Sequence, residues 1–424
     1  MKNLLKFFLE TEKLKEMPRT GWVLAGIENP ERIAEHCFSL SIISFLLAKK
    51  RGLNQKRAIQ IAFFHELCEV YAGDLTPFLY YPHLPKDDEK RRKTLMKWAR
   101  LCQKEKEKIG KIKFKKEKMA LLKLIKFLKP NLKNALLNAW LDYEKGISKE
   151  GKFIHQLNRI DTLIQSIEYF GMEDINVRTN WWEWAEEIVE DVLLLKFLKV
   201  LQKKFYEKRP IEEKEDKELE NILDFIFKIN QLKKMPRTIW VSMGIKNPET
   251  VAGHIFTTTL MGWIFGSERK ELNLEKILKI TLCHEFPSVY TGDLITPFIF
   301  PKGKEKREIF EKWPRLEKKE KEKIFFGDYQ KERKAIERLT KKLESDLRKE
   351  IIGLWDEYKN NLTPEARFVN QINVLAVLLE ALLYQKKDKY LPIGWIWEWA
   401  YEKCEDPIIF EFLEELKRRF YKKI

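Results

Sequence analysis

Cysteine is scarce in this 424-residue chain: there are five, with no Cys-x-x-Cys pair and no regular spacing. That excludes a disulfide framework. Cys37, Cys68 and Cys283 adjoin histidines of recurring motifs and read as small apolar packing residues. Runs that alternate apolar and polar residues between turns are missing too, which excludes a domain built on sheets. No apolar run reads as long enough to cross a bilayer, so a membrane is not an expected partner. The first ten residues, Met1 to Glu10, are basic and apolar, but Lys6 breaks the apolar stretch and no small-residue cleavage site follows. They read as a helix and not as a signal peptide, and the expected location is the cytoplasm.

Charge is plentiful, with a formal net charge of +16. The lysines are spread along the chain and mixed with glutamate, as in Gln103 to Lys108 and Glu317 to Lys323. Mixed runs of this kind are solvated helix faces. A nucleic-acid groove is the less favoured reading of the same charge. The length predicts two domains.

Self-similarity organises the rest. Leu14-Lys15-Glu16-Met17-Pro18-Arg19-Thr20 matches Leu232-Lys233-Lys234-Met235-Pro236-Arg237-Thr238. Asn29-Pro30-Glu31 through His36 matches Asn247-Pro248-Glu249 through His254. His65-Glu66-Leu67-Cys68-Glu69-Val70-Tyr71-Ala72-Gly73-Asp74 recurs as His284-Glu285-Phe286-Pro287-Ser288-Val289-Tyr290-Thr291-Gly292-Asp293. Later, Trp140 to Tyr143 matches Trp355 to Tyr358, and Phe153 to Asn158 matches Phe368 to Asn373. Each half then carries a Trp-Glu-Trp-Ala segment, at Trp182 to Ala185 and Trp397 to Ala400. Block order is preserved, so one domain has been duplicated, with copies at 1–209 and 218–424 and a charged seam from Arg209 to Lys217.

Each copy reads as all-α. Ile33 to Lys49, Gln55 to Tyr71 and Phe153 to Tyr169 carry apolar residues at three- and four-residue spacing. The two Asn-Pro-Glu segments read as helix caps with proline at the first helical position. The lysine-rich stretches from Pro85 to Pro130 and from Pro301 to Leu347 differ between copies and read as variable helical insertions.

Of six histidines, His36, His65, His254 and His284 fall at matched positions. On one helix, His65 and Glu66 are neighbours, and Glu69 lies one turn on, on the side of His65. His36 comes from an earlier helix, and Asn158 or Asp161 from a later one. Nitrogen and oxygen ligands without thiolate suit Mn, Co, Fe, Mg or Zn.

Together these motifs resemble the HD-domain superfamily of metal-dependent phosphohydrolases, in its 5′-deoxynucleotidase branch. The resemblance implies two tandem HD-type helical bundles, packed as an internal pseudo-dimer within a monomeric chain. It implies a small phosphorylated substrate, a nucleotide, and one divalent ion in the N-terminal half. Carried over by position, His36, His65, Glu66 and Asn158 are the metal ligands, with Asp161 as an alternative reaching the ion from the next turn. Glu69 falls at a proton-transfer position, Arg19 at a phosphate contact, and Asp74 at a sugar contact within the catalytic set. Two residues depart from the family pattern: Glu66 and Asn158 stand where it has aspartates. Asparagine offers a neutral carbonyl in place of a charge.

The second copy keeps His254, His284, Glu285 and Asn373 but has Ser288 for Glu69 and Ala376 for Asp161. It is expected to bind metal weakly or not at all, and Pro287 is expected to interrupt the helix after the His-Glu pair. A catalytically degenerate scaffold and a nucleic-acid-binding protein remain the alternatives. The Trp-Glu-Trp segments read as core or interface aromatics, Tyr71 and Tyr290 as packing beside the site, and His83 and His155 receive no role.

Overall fold

A computed structural model describes residues 1–75, 86–87, 89–90, 102–171, 181–294 and 317–421. His83 and the first part of each lysine-rich insertion lie outside them. The first copy runs through α1 (Lys2–Thr11), α2 (Thr20–Leu24), α3 (Ile33–Arg51), α4 (Gln55–Phe64) and α5 (Glu69–Ala72). It continues with α6 (Gln103–Ile125), α7 (Pro130–Lys145), α8 (Lys149–Phe170), α9 (Glu183–Ile188) and α10 (Val192–Leu201). After α11 (Lys214–Ile229) come α12 (Thr238–Ser242), α13 (Val251–Gly266), α14 (Leu274–Cys283) and α15 (Ser288–Thr291). The last helices are α16 (Lys318–Thr340), α17 (Ser345–Asn360), α18 (Pro364–Lys387), α19 (Gly394–Lys403) and α20 (Pro407–Tyr421). Among the described residues there is no strand, only the isolated bridges Pro18–Arg32 and Pro236–Thr250. The chain divides into two compact units, Lys6–Phe227 and Met1–Leu5 with Lys228–Ile424.

The centre of the first unit is α3. Ile33 through Ala48 are all buried, as a helix apolar on every side must be. Its start is held by Glu35, whose carboxylate accepts the Arg32 backbone N–H at 2.7 Å. Its end is Gly52, at φ 71°, the left-handed conformation glycine adopts freely. Helices α4 and α8 pack on α3, and α7 packs on both of them. In the other unit α13 plays this part, with all sixteen residues buried.

The Asn-Pro-Glu segments precede the helices and do not cap them. The caps are Arg32 and Thr250. Glu31 instead accepts the Trp22 indole N–H at 2.9 Å, and its own N–H donates to the Tyr169 hydroxyl at 2.7 Å. Glu249, Trp240 and Tyr384 repeat both bonds at 2.9 and 2.8 Å. The segment is a staple from an early tryptophan to α8 in one unit and to α18 in the other.

The described parts of the lysine-rich stretches are less variable than expected. Helices α6 and α16 both have 23 residues, and each is followed by a helix of 16. Leu121, Leu124 and Ile125 are fully buried, so the C-terminal half of α6 belongs to the core. One helix, α18, is long and apolar enough to cross a membrane by length and composition, contrary to the sequence reading. Its window has a mean hydropathy of 1.4, but 72% of that window is buried inside the unit. It is the core helix of its unit.

Helix α6 also buries Glu117, with Lys113 Nζ at 3.1 Å. Burial pushes the Glu117 carboxyl up to about 8 despite that lysine. A carboxyl raised in the folded state stabilises below its unfolded pKa and loses that contribution as pH rises through about 8. Glu117→Gln should therefore remove a loss of stability between pH 5 and 9, on the order of 2 kcal/mol. Urea midpoints of wild type and variant, compared at the two pH values, measure this. Parallel curves would rule it out.

Candidate metal centre

The chain is not one continuous helix from Gln55 to Tyr71. Helix α4 ends at Phe64, and His65 to Cys68 form tight turns before α5 begins at Glu69. Leu67 N–H bonds Phe64 O, and Glu69 N–H bonds Glu66 O, each spanning three residues. The second copy makes the same break, between Cys283 and Ser288. Proline is therefore not its cause: Cys68 stands where the other copy has Pro287, and both backbones turn alike. The turn aims the His-Glu pair and Glu69 together into the unit. Gly73, at φ 75°, then swings the chain so that Asp74 accepts the Thr20 backbone N–H at 2.6 Å. That bond seats Asp74 beside Arg19.

His36 on α3, His65 and Glu66 bring one ligand atom each within 4.8 Å of one another. His65 Nδ1 donates to Ala62 O at 2.7 Å, and burial lowers its pKa, so the ring is neutral with its lone pair on Nε2. His36 Nδ1 lies 2.9 Å from Asp161 Oδ2, so a proton on Nδ1 faces that carboxylate and Nε2 is the atom turned to His65. The two Nε2 atoms face each other at 3.2 Å. Two lone pairs so placed repel unless a cation or a proton lies between them. Nitrogens sharing one ion at about 2.0–2.1 Å each sit about 3 Å or slightly more apart, as these do. Glu66 Oε1 lies 3.3 Å from His65 Nε2 and accepts from Arg19 Nη1 at 2.8 Å.

Asn158, on α8, donates through Nδ2 to the Tyr143 hydroxyl at 2.5 Å, and its buried Oδ1 has no hydrogen-bond partner among the described residues. A buried carbonyl oxygen without a donor is costly, and a cation satisfies it. The donor set of two imidazoles, a carboxylate and an amide oxygen thus fits a divalent ion. Asp161 sits differently from the direct ligand envisaged. It lies behind His36, on Nδ1, and accepts from Ser39 Oγ at 2.6 Å. From there it sets the ring's tautomer and orientation.

Burial opposes the charge on Glu66, but the hydrogen-bonded Glu69 carboxyl and the Arg19 guanidinium help hold it well below the usual range. Burial, with Asp74 and Glu66 nearby, pushes Glu69 well above that range. The proton of this carboxyl pair rests on Glu69. Burial also pushes the thiols of Cys37, Cys68 and Cys283 well up, which keeps them inert.

A cavity of about 620 Å³ opens on Arg19, Glu66, Asp74 and Asn158, and also on Tyr143, His155, Arg159, Trp181 and Trp184. The last four correct or extend the sequence reading. Trp184 of the Trp-Glu-Trp segment is a half-buried wall of the cavity and not a core residue, as is its neighbour Trp181, which also leans on Trp22 at 5.3 Å. His155 packs on Tyr143 at 5.4 Å and is pushed down to about 4 by burial and by Arg159. Arg159 was not anticipated, although it adjoins Asn158 and the second copy has Val374 in its place. Tyr71 lies under Lys123 Nζ at 4.1 Å.

In the second copy His254, His284 and Glu285 form a matching cluster. Here His254 Nε2 lies 2.6 Å from Asn373 Oδ1, so ring and amide satisfy each other. Ala376 offers no carboxylate to Nδ1. Arg237 bonds both Glu285, at 2.8 Å, and Asp293, at 2.7 Å.

These features define a duplicated all-α protein with a histidine–carboxylate cluster of metal-ligating type in each copy. The HD domain family matches residues 11–188 and 229–391, and the chain belongs to that family. Among its relatives, the 5′-deoxynucleotidase HDDC2 of Xenopus laevis is 30% identical over 172 residues, 41% of this chain and 72% of the relative. The human protein of that name is 27% identical over 41% of this chain and 71% of its own length. The 5′-deoxynucleotidase hdd1 of Schizosaccharomyces pombe is 26% identical over 45% and 85%. A solved structure of a conserved hypothetical protein from Pyrococcus furiosus aligns over 46% of this chain and 99% of its own, at 27% identity and a TM-score of 0.34.

Proposed function

We propose that this chain is a metal-dependent phosphohydrolase that releases the 5′-phosphate of (deoxy)nucleoside monophosphates, with activity in the copy at 1–209. The observation that carries the reading is the pair of buried imidazole nitrogens facing each other at 3.2 Å, with Asn158 Oδ1 unsatisfied nearby. The relatives named 5′-deoxynucleotidases support the substrate class. His36, His65, Glu66 and Asn158 would hold the ion, one of Mn, Co, Mg, Fe or Zn, and Asp161 would position His36. When bound, a divalent ion acidifies water and neutralises charge on phosphate oxygens.

The remaining work belongs to the chain's own groups. Arg19 anchors Glu66 with Nη1 and turns its other N–H groups toward the phosphate. Asp74, set by Thr20, accepts from a sugar hydroxyl. Glu69 enters the reaction protonated and gives its proton to the departing 5′-oxygen as a water oxygen bonds to phosphorus and the P–O ester bond breaks. The copy at 218–424 binds metal weakly or not at all, because His254 and Asn373 already satisfy each other.

The test is purified chain incubated with a deoxynucleoside monophosphate, with and without Mn, Co or Mg. Phosphate release that needs the metal supports the reading, and none under any of these ions sinks it. Restoring a charge at the far ligand gives a second measurement. Asn158→Asp should tighten metal binding by about tenfold or more, since a carboxylate replaces a neutral oxygen at the same length. Competition against a chelating dye reads this without any turnover, and an unchanged affinity would remove Asn158 from the ligand set.

A further inference from the structure

Among the described residues, four cationic side chains line the cavity of the first unit: Arg19, Lys106, Lys113 and Arg159. Three are already matched. Arg19 bonds Glu66 at 2.8 Å, Lys106 bonds Glu187 at 2.7 Å, and Lys113 lies 3.1 Å from Glu117. Arg159 has no carboxylate at ion-pair distance among the described residues, and its buried Nε has no hydrogen-bond partner among them. Its guanidinium carbon sits 4.0 Å from the Trp184 ring centroid. A guanidinium laid on an indole is held in place while its N–H edge stays free. The second copy offers a contrast inside the same chain. Val374 replaces Arg159 there, and its own buried cation, Lys359, is matched by Glu332 at 2.7 Å.

A half-buried cation with no carboxylate at ion-pair distance among the described residues is costly in a folded protein, and a ligand that supplies the charge relieves that cost. We propose that Arg159, clamped on Trp184, is an anion-binding residue of the cavity and grips two oxygens of the substrate's phosphate group. The inference rests on reading the cavity as a phosphomonoester site, and it deepens that reading. The amide at Asn158 removes a negative charge from the helix turn where Arg159 adds a positive one. The site therefore attracts the phosphate dianion more through the protein and less through the ion than a carboxylate at that position would allow. The planar fork of arginine matches paired phosphate oxygens, which lysine cannot do.

The experiment is calorimetric titration of inorganic phosphate into the full chain in the presence of a chelator. Arg159→Gln should weaken phosphate binding by about 10- to 100-fold, and Arg159→Lys by less, since it keeps the charge and loses the fork. Trp184→Leu should weaken it several-fold by freeing the guanidinium. Circular dichroism and thermal unfolding identify any variant that fails to fold, and Arg159→Lys then carries the comparison. Equal phosphate affinity in wild type and Arg159→Gln would overturn the inference. So would no measurable binding by wild type into the millimolar range, or a loss of stability in Arg159→Gln with no change in affinity. The outcome is separable from the hydrolase reading. Arg159-dependent phosphate binding without turnover leaves this inference standing and removes the other, and turnover with Arg159-independent binding does the reverse.

Discussion

His65→Ala should reduce metal-dependent phosphate release on the order of a thousandfold, while His284→Ala should leave it within about twofold. The two residues occupy matched positions and make the same bond, Nδ1 to the carbonyl three residues back, at 2.7 Å in each case. What differs is the partner facing them. His65 Nε2 meets the lone pair of His36, whereas in the second copy His254 is already engaged with Asn373. Burial keeps both rings neutral, with His284 pushed down to about 4, so neither variant removes a charge from the core. The same pair of variants should divide the metal content. Elemental analysis of the purified protein should find the ion lost in His65→Ala and retained in His284→Ala. Equal losses of activity in the two variants would place the chemistry in both copies or in neither.

Gly151→Ala should destabilise the protein by about 3 kcal/mol, although it adds one methyl group to a helix. Gly151 begins α8 against the end of α7. A Cβ there would sit 2.2 Å from Asp142 Oδ1 and 2.5 Å from the Asp142 backbone oxygen. Asp142 cannot easily yield. It accepts from the Ser148 N–H and the Ser148 hydroxyl, each at 2.7 Å, and from Arg57 at 2.9 Å. Asp142 also precedes Tyr143, the partner of Asn158, so a shift of α8 reaches the far ligand. The second copy has Ala366 at this position and the longer Glu357 for Asp142. Ala366→Gly should therefore cost only about 1 kcal/mol, the ordinary helix penalty. Thermal unfolding of the two variants measures the difference, and an effect of Gly151→Ala no larger than that of Ala366→Gly would contradict the account.

The helical class was legible because apolar spacing and matched blocks agree along the whole chain. His36, His65 and Glu66 were legible as a cluster because a duplicated sequence shows its own recurring histidines. The turn at His65 to Cys68 was not. Glu66 and Leu67 are good helix formers, and the stretch carries no glycine or proline to mark the break. The place of Asp161 escaped for a related reason. Helical spacing puts Asn158 and Asp161 on one face, but the face of α3 that meets them sets Ser39 and His36 Nδ1 against Asp161. Arg159 was hidden because an unmatched charge is a property of its surroundings, not of its residue type. The two Asn-Pro-Glu segments misled through local chemistry: proline suits a helix start, yet the glutamate is needed for an indole and a tyrosine.

Helix α11 has one further consequence. By sequence it opens the second copy, as α1 opens the first. By packing, its residues up to Phe227 belong with the first, where Leu219, Ile222, Leu223 and Ile226 are buried and Lys50, Lys203 and Lys204 bond Glu218, Asp216 and Asp224. The sequence repeat and the compact unit are thus out of step by one helix. A truncation after residue 209 that kept only the first copy would strip α11 from the first unit and leave the apolar residues it covers bare. The first repeat therefore borrows the opening helix of the second to close its own core.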